Sequence, residues 1–233
     1  MSIAEKLTTI AENEQKVYNA GYEKGKAEGG GGGETEDWWG LFQNYGNRTN
    51  YQYAFAETVF EVINPTYGFE NLTYAANMFN ACKAEEIVIY NTKTSTWNYT
   101  FYNCANLLRI KGHIAVTSNT NVQYMCRACK KLKEFESLDI SKLTTSNTHF
   151  AEAFSLCEAL EEIRFTGTIP CNVKFSYSPN LSHDSLMSII NALADYSEDT
   201  SGTSHKATLG STNIAKLSTE EIQLIEDKGW TYA

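Results

Sequence analysis

The stretch MCRACKKLKEF, residues 125–135, places a CxxC pair, Cys126 and Cys129, among three lysines. Taken alone it has the look of a metal site or a redox pair. Three other stretches change that reading: FNACKAEEIVI (79–89), FYNCANLLRI (101–110) and FSLCEALEEI (154–163). They align with it on Cys82, Cys104, Cys129 and Cys157, which lie 22, 25 and 28 residues apart. Three positions before each cysteine stand Phe79, Phe101, Cys126 and Phe154, and seven before it Ala75, Trp97, Val122 and Phe150. Three after it stand Glu85, Leu107, Leu132 and Leu160, and six after it Val88, Ile110, Phe135 and Ile163. Only Glu85 is polar, so the first copy is expected to carry a shifted strand with Ile87 and Ile89 pointing inward.

The apolar positions before each cysteine fall on one face of a short helical turn. The Leu-x-x-Ile that follows enters a short strand. A unit of this size, roughly 25 residues, cannot bury its apolar face alone, whereas stacked copies share one core and one parallel sheet. In that frame Cys126 occupies the phenylalanine slot of the third copy and Cys129 the recurrent cysteine slot. Zinc would need four ligands, and no second CxxC or paired His completes the set. A redox pair would open a helix inside a βαβ unit, which is missing here. Buried structural thiols are therefore expected. Cys171 lies outside the frame and receives no role.

Composition narrows the remaining choices. The chain has 233 residues, is 42% hydrophobic and 12% aromatic, and so has the material for a folded core. A net charge of −9 disfavours nucleic acid, whose phosphates need clustered Lys and Arg. The one basic cluster, Lys130, Lys131 and Lys133, alternates with apolar residues and reads as a solvated face. No apolar run approaches the roughly 20 residues of a membrane span. The start, MSIAEKLTTIAENEQ, scatters Ile3, Leu7 and Ile10 among charges and does not read as a secretory signal. Without secretion, the sequons at Asn47, Asn71, Asn98 and Asn180 predict nothing.

Five segments result. Residues 1–28 read as a helix capped by Ser2 with Glu5; Ile3, Leu7, Ile10, Glu14, Val17 and Gly21 follow coiled-coil spacing, which favours oligomerisation or docking. Residues 29–37, with Gly29–Gly33, are a flexible linker. Residues 38–72 open with Trp38 and Trp39 and are dense in aromatics, expected to cap the following core; the competing reading is a surface that stacks on sugars. Residues 73–180 hold the repeats. Residues 181–233 hold two helices: one capped by Ser182 with Leu186, Ile189, Ile190 and Leu193 buried, the other boxed by Ser218 and Glu221 and ended by Gly229. ATLG (207–210) reads as a short strand, and Trp230 with Tyr232 would close the last layer.

The F-x-x-C-x-x-L-x-x-I units resemble the BspA-like leucine-rich repeats of bacterial and bacteriophage surface proteins. The tail from LSHDSLMSIINAL to DKGWTYA, the head MSIAEKLTTIAENEQKVYNAGYEKGKAE and the stretch QNYGNRTNYQYAF are similar to those of repeat proteins encoded by phages and prophages of gut Firmicutes. The resemblance spans nearly the whole chain, with departures at Glu85 and Cys126. It implies an α/β repeat, a right-handed leucine-rich-repeat solenoid with short parallel strands, preceded by a helix and closed by a C-terminal helical cap. It also implies a binding role, with no active site and no cofactor to carry over.

Other motifs point to no chemistry. In Ser182–His183–Asp184, adjacent residues at a helix start diverge, whereas a triad converges in space. Gly29–Gly33 lacks the strand and GK[ST] of a phosphate loop. His113, His149 and His205 lack metal spacing, and Glu161 and Glu162 read as a strand edge. The expectation is a non-enzymatic protein of a phage tail or cell surface. Its target would be a host surface protein or glycan, and helix 1–28 would join other tail proteins or further copies. The competing expectations are a bacterial surface adhesin, an intracellular interaction scaffold, or a depolymerase. Arg109, Lys111 and His113, by strand geometry, and Trp38 and Trp39, by their aromatic character, are the candidate contact residues.

Overall fold

The computed structural model describes residues 50–52, 54–57, 62–63, 72–91, 93–116, 121–145 and 150–233. The expected helix 1–28, the linker 29–37, Trp38, Trp39, His149 and most of the aromatic cap lie outside the described residues. What is described is α/β, with parallel sheets and few helices. β1 (Val62–Ile63), β2 (Glu86–Asn91), β3 (Arg109–Ala115), β4 (Glu134–Asp139) and β5 (Glu162–Thr166) form one sheet in chain order. Each strand is parallel to the next. The register sets Ile63, Ile87, Ile110, Phe135 and Ile163 in one row, and all five are buried.

The shift expected in the first copy is present. Ile87, not Val88, lies level with Ile110, and Ile87 and Ile89 are buried. Ala84 is also fully buried while Glu85 faces solvent, so this copy reaches its strand one residue early.

The segment before each cysteine is not helical, apart from a 3-10 turn at Phe150–Glu152. Its N–H groups alternate in destination. Met78, Asn80 and Cys82 donate back three residues, to Ala75, Asn77 and Phe79. Asn77, Phe79 and Ala81 donate instead to the carbonyls of Asn98, Thr100 and Tyr102 in the following copy, at 3.0, 2.8 and 2.8 Å. Tyr99, Phe101 and Asn103 repeat this toward Gln123, Met125 and Arg127. A helix would use its N–H groups internally and offer none to its neighbour. The alternation instead demands left-handed backbone five and one residues before Cys82, Cys104 and Cys129, and one residue before Cys157. Asn77 (φ 57°), Ala81 (56°), Tyr99 (55°), Asn103 (58°), Tyr124 (54°), Ala128 (64°) and Leu156 (62°) adopt it.

Inside, Phe55, Phe79 and Phe101 stack at 5.1 and 5.4 Å, and Phe154 stacks on Phe175 at 5.6 Å. Cys126 interrupts this row. In the same copy Phe135 stands where the others have Ile, and its ring meets Phe154 edge-on at 5.7 Å. The small residue in one slot and the large one in the next keep the volume of the layer. Three of the slot thiols donate to the preceding copy's phenylalanine-slot carbonyl: Cys104 to Phe79 at 2.9 Å, Cys129 to Phe101 at 2.8 Å, Cys157 to Cys126 at 3.0 Å. Tyr51 and Phe55 sit in the same phase one copy earlier. Cys171, Phe175 and Leu181 sit one copy later, with Ser178 in the thiol slot, and all four are buried.

After Leu181 a helix stands where a sixth strand would begin. Ser182 N–H donates to Glu161 O at 2.8 Å, as Glu161 N–H does to Lys133 O at 2.9 Å. α1 (His183–Ala192) then runs along β5, and Ser185 and Ser188 hydroxyls accept the N–H groups of Ile163 and Phe165 at 2.9 and 3.0 Å. These serines satisfy edge groups that would otherwise invite another strand. Ser182 caps α1 as expected, with Leu186, Ile189, Ile190 and Leu193 buried. β6 (Val173–Lys174), β7 (His205–Thr208) and β8 (Trp230–Tyr232) form a second parallel sheet. The expected strand 207–210 thus lies slightly earlier. α2 (Ser211–Ile214) and α3 (Thr219–Asp227) lie between β7 and β8. Both hydrogen bonds of the Ser218–Glu221 capping box form, and Gly229 follows the helix at φ 78°. Trp230 is buried, but Tyr232 is exposed and does not close the layer. The Lys228 ammonium caps the end of α1 through the carbonyls of Ile190, Asn191 and Leu193 at 3.0, 2.8 and 2.9 Å.

The exchange between Cys126 and Phe135 is testable by a double-mutant cycle in urea. Cys126→Phe alone should cost about 1–3 kcal/mol by overpacking, and Phe135→Ile about 1–2 kcal/mol through the cavity it leaves. The pair should cost less than the sum by at least ~1 kcal/mol; strict additivity would refute the compensation.

Candidate binding face

Alternation along the strands points every second side chain of β2–β5 away from the core. Arg109, Lys111 and His113, the residues expected from the sequence, therefore stand on one face of β3, separated by buried Ile110 and Gly112. Each meets a polar group on a neighbouring strand. Arg109 Nε lies 2.8 Å from Glu86 Oε2 on β2, and this bond with its charge raises the guanidinium pKa. Lys111 Nζ lies 3.3 Å from the Glu134 carboxylate, and His113 Nδ1 3.0 Å from Ser137 Oγ, both on β4.

The register between β3 and β4 shifts between Ile110 and Ile114. Gly112 sits there at φ 100°, with its N–H donating to Glu136 Oε2 at 2.7 Å. A Cβ at this position would fall 2.3 Å from Ile89 O, so only glycine fits. Near the far end of β4, burial alone would raise the Asp139 carboxyl. The hydroxyl and N–H bonds from Ser141, with the charges of His113 and Lys142, bring it below the usual carboxylate value.

The sequence reading missed Tyr90, which lies opposite His113 in the β2–β3 register and is 60% exposed. Its signal was the shifted first copy: once Ile87 and Ile89 face inward, Tyr90 must face outward. Trp38 and Trp39 lie outside the described residues. The result is an open strip whose charges are matched across strands, Glu86 to Arg109 and Lys111 to Glu134. Near its edge, Lys130 and Lys133 pair with Glu158 and Glu161 at 3.5 and 3.4 Å. His113 and Ser137 have the residue types of a base and a nucleophile. The adjacent Gly112 N–H is already committed to Glu136, so it offers no donor to an oxyanion.

The cysteines do not build a reactive site. All six are free and buried. Burial pushes the thiols of Cys104, Cys126 and Cys157 well up, and that of Cys171 to about 12. Thiolate, the nucleophilic and metal-binding form, is thereby withheld. Among the described residues no three His, Cys, Asp or Glu side chains are grouped as a metal site requires. An open hollow of about 570 Å³ is lined by Asp195, Tyr196, Ser197, Glu198 and Asp199. Two of its carboxylates are already engaged, Asp195 with the Ser197 N–H and Asp199 with Ser201 and His205. His205 is covered by the Tyr196 ring at 3.5 Å, an internal packing position.

Comparison with known proteins found no matching family model, no similar curated protein and no similar solved structure.

The thiol environment has a measurable consequence. Titration with an aromatic disulfide reagent should leave all six cysteines unreacted in the folded protein and modify all six in denaturant. The native reaction should be slower by at least ~100-fold; a fast native phase of one or two thiols would refute the burial of all six.

Proposed function

We propose that this chain is a non-enzymatic binding protein of the BspA-like leucine-rich-repeat kind, a right-handed solenoid carried on a phage or prophage tail. The observation that carries the reading is the outward strip of β2–β5. Successive copies of one sequence unit deliver side chains to a shared lattice, row upon row, and those side chains engage one another rather than converge on a reacting centre. Such a surface recognises a partner by shape and by many modest polar contacts. The similarity of the head and tail to phage-encoded repeat proteins supplies the setting. In this reading the strip faces a host surface protein or glycan. Helix 1–28 joins other tail proteins or further copies of the chain, and the site of action is the virion or the cell exterior. Among the described residues no helix is long and apolar enough to cross a membrane.

The test has two arms. Mass spectrometry of purified particles from the producing strain should find the chain at structural abundance. The purified full chain should adhere to host cells, with Arg109→Ala combined with Tyr90→Ala weakening adhesion by about tenfold, as loss of two central contacts does. Absence from particles together with recovery in the cell-surface fraction would replace this reading with a bacterial adhesin. Cleavage of host polysaccharide by the purified chain would replace it with an enzyme.

A further inference from the structure

The surface opposite in character to the strand strip is built by the turns before each cysteine. Five and two positions before the cysteine, each copy presents an interacting pair of side chains on the outside. In the first copy Asn80 Nδ2 donates to Asn77 Oδ1 at 3.0 Å. In the second, Tyr99 and Tyr102 meet edge-on at 5.3 Å. In the third, the Arg127 guanidinium lies 4.6 Å from the centre of the Tyr124 ring. Tyr99 and Tyr124 also touch each other, at 5.2 Å, so the two copies share one half-buried aromatic cluster.

Two of these tyrosines occupy an unfavourable backbone. Tyr99 and Tyr124 have φ of 55° and 54°, a region that costs a bulky side chain roughly 1–2 kcal/mol and that Asn enters readily. The first copy uses Asn77 at the same place. The strain at Tyr99 and Tyr124 is not offset by burial in the core, since both rings lie on the outer surface. Strain held at a surface position points to a function that needs the side chain there.

Size and charge select the ligand. The cluster measures about 10 Å on a side from the spacing of adjacent copies, on the order of 100 Å², whereas a protein partner covers about 800 Å². The area matches one or two sugar rings. The Arg127 guanidinium beside the Tyr124 ring repels an organic cation. Glu152, in the next copy and within electrostatic reach of Arg127, together with the overall charge of −9, disfavours an anion. Asn103, exposed and next in the chain to Tyr102, and Asn77 and Asn80, at the equivalent positions one copy earlier, supply flanking amides, which donate to and accept from vicinal hydroxyls.

We propose that Tyr99, Tyr102, Tyr124 and Arg127 form a binding site for a neutral oligosaccharide, with sugar rings stacked on the tyrosines and hydroxyls bonded by the flanking amides. The site rests on the reading of the chain as a binding protein and names the chemistry of one ligand, on a face distinct from the strand strip.

The experiment titrates the full chain with short neutral cello-, malto-, chito- and galacto-oligosaccharides to about 10 mM, followed by calorimetry and tyrosine fluorescence. At least one series should bind. Tyr99→Asn and Tyr124→Asn should each weaken it by tenfold or more while leaving thermal stability equal or higher, because Asn tolerates the left-handed backbone. Tyr232→Ala, an exposed tyrosine on β8 away from both surfaces, should leave the sugar affinity unchanged. Absence of binding by every series, or binding indifferent to both Asn variants, overturns the site. So does dependence on the same residues for capture of a protease-sensitive target instead. The oligosaccharide titration is independent of the particle analysis: a chain present in particles that ignores sugars loses this site alone, and a sugar-binding chain absent from particles loses only the tail assignment.

Discussion

In the turns before Cys82, Cys104 and Cys129, alternate N–H groups leave their own segment and bond the next one, and the rest of the molecule follows from that division of hydrogen bonds. Because half of these donors are spent sideways, the segment cannot be a helix. It zigzags, alternating right- and left-handed residues, and the zigzag sends the positions seven, three and zero residues from the cysteine inward. The same geometry sends the fifth and second positions outward. The left-handed residues cost energy at each copy, so the arrangement stands only because each sideways bond also closes the backbone accounts of its neighbour.

The cysteine is the residue this geometry asks for. At the end of the zigzag the side chain points into a tight corner under the preceding copy's carbonyl. A thiol fits, is apolar enough to be buried, and still donates a weak bond to that carbonyl. Where Ser178 takes the slot, the hydroxyl is buried without a hydrogen-bond partner among the described residues. A serine hydroxyl is costlier to leave unsatisfied than a thiol. At Cys104 and Cys157 burial in this corner also raises the thiol pKa.

The repeat, the caps and the inward rows were legible because they depend on residue type at fixed spacing. Ser182, Ser218 and Glu221 act where their short-range pattern puts them. The zigzag was not legible as such, since apolar residues spaced by four and three suit a helical turn equally well; only the left-handed residues distinguish the two, and Tyr99 or Leu156 gives no local hint of taking that conformation. Cys171 looked unplaced because the frame was anchored on cysteine and Ser178 replaced it. Tyr51 and Phe55 were read as part of a cap for the same reason, Thr58 standing where the cysteine would be. On the strand face, Arg109, Lys111 and His113 were readable from alternation, while Tyr90 was hidden by the one-residue shortening of its copy.

The two outer surfaces differ because the backbone constrains them differently. On the strands an outward residue has neighbours in register on both sides, about 4.8 Å away, and like charges placed opposite one another would repel. Opposite charges in adjacent rows are the stable solution, as Glu86, Arg109 and Glu134 show; Glu162, in register with Glu134, departs from it and accepts the Ser185 hydroxyl instead. On the turns the outer positions come in pairs within a copy, and each pair has its own chemistry: amide with amide, ring with ring, ring with cation and, with Ser155 buried, carboxylate with hydroxyl; the second and third pairs also meet through Tyr99 and Tyr124. Substitution there disturbs neither the inward rows nor the strand register. A fold of this kind therefore concentrates its structural demands in the interior and the strands, and leaves the turn pairs as positions where side-chain chemistry varies at least cost to the core.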